Sequence, residues 1–249
     1  DEIKLDYDVT ILPPKKYFLP QYEDLMDYNL TKEFDVKDNL PDKKRVLIGV
    51  HPYDVIAIEQ MDKVYLDDQK DDFYEKRRKN TIIIAMDIQK VSDRSFAKSM
   101  KTNIIDSGFD LILTNIGDKY TVTIGSKKGK DILKKYAKTK DASKTDIEHI
   151  KKTREKIAKD YKKEVKLNDW SELLVANYDN AIFEERSEKC MECSSCTMVC
   201  PTCYCYDIRD EVSIDLKDGR RVRTWDGCMI QDFTKIGSEF LFGPLMNQD

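Results

Sequence analysis

The chain has 249 residues and 29.1 kDa, enough for one large domain or two modest ones with an apolar core. Charged residues make up 36%, yet 43 Lys+Arg against 47 Asp+Glu leave a net charge of -4, which argues against a nucleic-acid partner held by a basic field. The longest apolar runs, Val46 to Val50 and Ile82 to Met86, fall far short of the roughly 20 residues of a membrane-spanning helix.

No membrane insertion is expected, and without a charged-then-apolar leader the chain reads as cytoplasmic. It opens at Asp1 rather than Met, which leaves room for residues ahead of it. Along the first forty residues, Pro13, Pro14, Pro20 and Pro41 predict loops around a few anchors. The β-branched runs Arg45 to Val50 and Thr81 to Ile88 predict buried strands. Between them Ile56, Ile58, Met61, Val64 and Tyr65 fit a helix, so the strands should pair in parallel through a right-handed crossover. Asp110 to Gly125 reads as two strands around a Gly-Asp-Lys turn, followed by a Lys-rich helix from Ser126 to Lys138.

Within the charged stretch Asp141 to Lys166, Ile147, Ile150, Ile157, Tyr161 and Val165 form one apolar stripe with Ser143 as N-cap. The simpler reading is a surface helix packing on its own domain; the alternative is a partner-docking helix. Trp170, Leu173, Leu174, Tyr178 and Ile182 predict a further helix. A domain boundary is expected within Tyr161 to Asn168, giving a mixed α/β domain over 1–165 and a second module over 166–249.

Six of the seven cysteines lie between Cys190 and Cys205, and the seventh is Cys228. An odd count without a leader argues against a secreted disulfide framework and for metal chemistry in a reducing compartment. Cys190, Cys193, Cys196 and Cys200, followed by Pro201, give C-x2-C-x2-C-x3-C-P, the bacterial ferredoxin run. Two-residue gaps let a tight loop offer several thiolates to one cubane, and soft sulfur suits iron-sulfur clusters. Zinc favours two separated pairs, and three thiolates at consecutive spacing would crowd one side of the ion.

Cys190, Cys193 and Cys196 are thus expected to ligate one 4Fe-4S cluster, with the fourth ligand open among Cys200, Cys203, Cys205 and Cys228. Because the fourth cysteine of such a run ligates the other cluster in two-cluster ferredoxins, a second cluster is an open alternative for Cys200. Cys203 and Cys205 alternate in a strand-like segment, which would put their thiols on one face, either for a metal together with Cys228 or as buried apolar groups. Tyr204 and Tyr206 would occupy the opposite face and are expected to pack in the core. His51 and His149 lie apart from other candidate ligands, so no catalytic residue is assigned. No nucleotide-phosphate loop is present.

The segments ILPPKKYFLPQYE, VLIGVHPYDVIAI, FYEKRRKNTIIIAMDI, GFDLILTNIGDKY, CMECSSCTMVCPTCYCYD and RVRTWDGCM together resemble the β subunits of sulfhydrogenase-type nickel-iron hydrogenases and the A subunit of anaerobic sulfite reductase. The similarity runs from about Ile11 to Met229. It implies an α+β chain: a mixed α/β N-terminal domain followed by a helical-ferredoxin-like iron-sulfur module. It also implies an electron-transfer subunit of an anaerobic hetero-oligomer, relaying electrons between a flavin-bearing NAD(P)H subunit and a catalytic oxidoreductase subunit.

Three departures from the family stand out. Tyr53 takes the place of a cysteine before Asp54, and Ser95 and Ala97 replace a Cys-Phe-Cys pattern, which together fit loss of one metal centre. The family's later second ferredoxin run is also missing, so the chain is expected to be either a shortened relative or incomplete at its end. A docking or scaffold subunit with a structural cluster, or a zinc-binding interaction protein, are the competing expectations.

Overall fold

The computed structural model describes residues 4–31, 35–166, 169–230 and 233. Its elements run β1 (Tyr22–Asn29), β2 (Asp35–Asp38), β3 (Arg45–Val50), α1 (Pro52–Leu66), α2 (Asp72–Lys79), β4 (Thr81–Met86), β5 (Leu111–Asn115), β6 (Tyr120–Ile124), α3 (Lys127–Tyr136) and α4 (Lys144–Ile157). They continue as α5 (Trp170–Ala176), α6 (Ala181–Ser187), α7 (Ser195–Met198), β7 (Tyr206–Val212) and β8 (Asp218–Trp225). The chain divides into two compact units, Asp1–Pro14 with Asp42–Leu167 and Lys15–Pro41 with Asn168–Asp249.

In the first unit the sheet order is β3-β4-β5-β6, with β3, β4 and β5 parallel and β6 antiparallel to β5. The expected strand-helix-strand crossover is present as β3-α1-β4. Val55, Ala57, Ile58, Met61 and Tyr65 of α1 are buried, as are Ile83, Ala85 and Met86 of β4, and each large aliphatic side chain so buried contributes about 1.5–3 kcal/mol. A register shift interrupts β3 between Ile48 and Val50, where Gly49 adopts a φ of 84°, a conformation that favours glycine. Proline at the first turn of α1 suits a start without a partner for its missing N–H.

Ser143 caps α4 through a reciprocal box with Asp146, a device that contributes about 1 kcal/mol. The helix is held on its own unit by Arg154, whose Nε lies 2.8 Å from Asp87 Oδ2; the same oxygen accepts from Thr114 Oγ1 at 2.6 Å. It ends at Ile157 rather than continuing to Val165, because Lys159 and Asp160 make tighter bonds to the carbonyls of Lys156 and Ile157. Tyr161 and Val165 therefore do not extend its stripe.

The second unit carries a four-stranded antiparallel sheet, β2-β1-β8-β7, alongside α5, α6 and α7. The loop reading of the first forty residues is corrected here. Residues 22–29 form a strand whose partner, β8, is remote in sequence. Glu23 and Arg223 face each other in register and make a buried ion pair at 2.5 Å, 200 positions apart. For the same reason Lys15–Pro41 belongs with the second unit and not, as the 1–165 division expected, with the first.

Phe18, Leu19, Val222 and Trp225 are buried, and Trp225 Nε1 donates to the Leu19 carbonyl at 2.8 Å. The single helix expected across Trp170 to Ile182 is two, because Asn180 turns its side chain to cap Ile182 N at 3.0 Å and starts α6. The α+β class holds, and the second unit joins an antiparallel sheet to its helices.

Candidate iron-sulfur site

All seven cysteines are free thiols: Cys190, Cys200, Cys203 and Cys205 half-buried, Cys193, Cys196 and Cys228 exposed. The Cys190 to Cys196 loop is wound tightly. Glu192 and Ser194 have φ values of 51° and 54°, a left-handed region that ordinary residues enter at a cost of about 1–3 kcal/mol and that recurs at functional sites. Thr197 compensates by donating to the Ser194 carbonyl at 2.8 Å, and the Ser194 and Thr197 hydroxyl oxygens lie 2.5 Å apart. The short helix α7 follows, and Pro201 comes directly after Cys200.

The WDGC segment packs onto this loop. A Cβ on Gly227 would collide with Ser194 Oγ and Thr197 Oγ1, so glycine beside Cys228 permits a close approach of two loops that each bear cysteines. Cys203 and Cys205 precede β7 instead of lying within it, since the ladder to β8 begins at Tyr206 opposite Trp225. Tyr204 and Tyr206 are 54% and 37% exposed, so neither fills a core as expected. The backbone here is tied instead by Asp226 N donating to the Cys205 carbonyl at 3.2 Å.

Electrostatics favour thiolates at two of these positions. Hydrogen bonding with the Ser195 side chain and backbone lowers the pKa of Cys193, whose thiol donates to Ser195 Oγ at 3.3 Å. Burial works against ionisation of Cys200, but hydrogen bonds from Thr202 and Cys203 and the charge of Lys15 bring its pKa down. Cys205 is pushed up by burial and by neighbouring Cys203 and Cys228. This proximity brings Cys203, Cys205 and Cys228 into one electrostatic neighbourhood.

Lys15 was missed by sequence reasoning, and no periodic signal marks it. It is 3% exposed, donates from Nζ to the Cys203 carbonyl at 2.9 Å and sits 4.2 Å from the centre of the Trp225 ring. The run of Pro13, Pro14, Lys15 and Lys16 offered only a turn.

Among the described residues, no group of three or more His, Cys, Asp or Glu side chains is gathered as a metal site. The donor chemistry is what fits a cluster: soft thiolates in a tight loop, with hydroxyl and backbone donors beside them. In the first unit, Tyr53 is half-buried, its Oη 2.6 Å from His51 Nδ1 and donating to the Asp8 carbonyl at 3.1 Å. Ser95 and Ala97 lie in a turn closed by bonds to Ser92 and from Thr102. His51 is fully buried and stacks on Tyr7 at 4.1 Å, whereas His149 lies on the exposed face of α4.

Residues 189–244 match the model of a 4Fe-4S dicluster domain. Over 245 residues the chain is 33% identical to Sulfhydrogenase 2 subunit beta of Pyrococcus furiosus, a similarity covering 98% of this chain and 72% of that protein. The chain belongs to the sulfhydrogenase beta-subunit family. It is an iron-sulfur protein with 4Fe-4S chemistry, an electron-transfer subunit of an oxidoreductase. No solved structure matches. The family-model match runs past the described residues, and the seven cysteines of the sequence are one fewer than two all-cysteine cubanes use. Among the described residues, no helix is long and apolar enough to cross a membrane.

Proposed function

We propose that this sulfhydrogenase-type beta subunit relays single electrons between a flavin-bearing subunit that oxidises NAD(P)H and a separate catalytic oxidoreductase subunit, in the cytoplasm. The observation that carries the reading is the left-handed loop of Cys190, Cys193 and Cys196, closed over by Gly227. Such a loop, wound against its own backbone preference, suits residues held for a ligand. Cys190, Cys193, Cys196 and Cys200 would hold the cluster, which supplies one-electron redox chemistry when bound.

The chain's own residues do the rest. Hydrogen bonding with Ser195 and Thr202 favours the thiolate form at Cys193 and Cys200, and hydrogen bonds to sulfur together with burial tune a cluster's potential. Cys203, Cys205 and Cys228 form a second thiol group. Free thiols throughout suit a reducing compartment. The first unit, Asp1–Pro14 with Asp42–Leu167, in which Tyr53, Ser95 and Ala97 stand where the family has thiols, acts as a metal-free platform, and the second, Lys15–Pro41 with Asn168–Asp249, as the cluster-bearing module.

The purified chain should accept electrons from dithionite but not from NAD(P)H, and a flavin-bearing partner should restore reduction by NAD(P)H. Turnover of NAD(P)H by the chain alone, with no flavin present, would sink the relay reading.

A further inference from the structure

A lysine ammonium is seldom buried unless its charge is matched. Lys15 is 3% exposed and no carboxylate is among the groups that perturb it. Burial lowers its pKa, and the charges opposing that effect are those of Cys203, Cys200 and Cys205. Its place is firmly built. The Lys15 carbonyl accepts from the N–H groups of Phe18 and Leu19 at 2.9 and 2.7 Å, both buried in the second unit. Its Nζ is fixed by the Cys203 carbonyl on one side and the face of Trp225 on the other. Trp225 is itself anchored to Leu19 and Gln21.

We propose that Lys15 is the cation that sets the reduction potential of the cluster held through Cys200. The inference rests on the reading of Cys200 as a ligand. Reduction adds one negative charge to a cluster, and a fixed positive charge nearby, shielded from water, stabilises that reduced state more than the oxidised one. Lys15 therefore raises the potential. It touches the cysteine segment's backbone and is a positioning and tuning residue, with no part in bond making.

The test is a redox titration, followed by EPR, of the anaerobically reconstituted chain. Iron and acid-labile sulfide are measured on the same samples. Lys15→Gln keeps a hydrogen-bond donor and removes the charge; Lys15→Arg keeps the charge. With iron content equal to that of the unaltered chain, Lys15→Gln should lower the reduced-to-oxidised ratio at a fixed potential by about tenfold, a fall of about 59 mV for one electron. Lys15→Arg should restore most of it.

An unchanged midpoint in an iron-replete Lys15→Gln overturns the proposal. Loss of iron from Lys15→Gln overturns it in favour of a structural anchor. A midpoint equally lowered in Lys15→Arg overturns it too, since the charge would then not be the cause. Full iron and an unperturbed signal in Cys200→Ser would defeat instead the reading of Cys200 as a ligand.

Discussion

Gly227 lies so close to Ser194 that an added Cβ would strike the serine Oγ, which couples the segment bearing Cys228 to the loop bearing Cys193 and Cys196. Ser194 is 2% exposed and already committed to Thr197, so neither side has room to give. Gly227→Ala should cost about 1–3 kcal/mol of stability by overpacking and should reduce the iron bound per chain. Urea unfolding and iron analysis check it. Stability and iron content equal to those of the unaltered chain would show that the close approach is dispensable.

The same contact shows what the sequence could and could not convey. β3, α1, β4 and the β5-β6 hairpin are legible because their apolar residues recur at the period of the element and their partners lie near in sequence. The Cys190 to Cys200 run is legible because its spacing is itself the chemistry. β1 is not: in Tyr22–Asn29 the charges and apolar residues come in adjacent pairs, Glu23-Asp24 then Leu25-Met26, with no period of two, and what makes it a strand is Arg223 and its neighbours in β8. Lys15 is invisible for a related reason. Its burial depends on Trp225 and Cys203, which only the fold brings to it.

In the first unit two buried groups should oppose each other as pH changes. Burial pushes the Asp54 carboxyl up from 3.8 to about 7 and the His51 imidazole down from 6.5 to about 4. Below about pH 4, Asp54 is protonated whether folded or not. As pH rises from 4 to 7 the unfolded chain ionises it freely and the folded chain resists, so stability falls across that window. His51 acts in reverse, losing stability as pH falls from 6.5 toward 4, so the two partly cancel between those values. Asp54→Asn should unmask the histidine: stability in urea should rise from pH 4 to 6.5, and the gain over the unaltered chain should grow to roughly 2–4 kcal/mol by pH 7. A variant whose pH profile parallels the unaltered one would refute the assignment.

Cys193 is the most direct test of the cluster ligands, because it is exposed and its thiol is tied loosely, to Ser195 Oγ at 3.3 Å. Cys193→Ser replaces a soft thiolate by a hard oxygen that iron in a cubane holds poorly, while leaving the surrounding packing almost unchanged. Far-UV circular dichroism should therefore match the unaltered chain. Iron and acid-labile sulfide should fall well below it, and the EPR signal of the dithionite-reduced protein should vanish or change shape. If Cys193→Ser instead keeps its full iron and an identical spectrum, the C-x2-C-x2-C loop is not the ligand set, and the strain at Glu192 and Ser194 serves some other end.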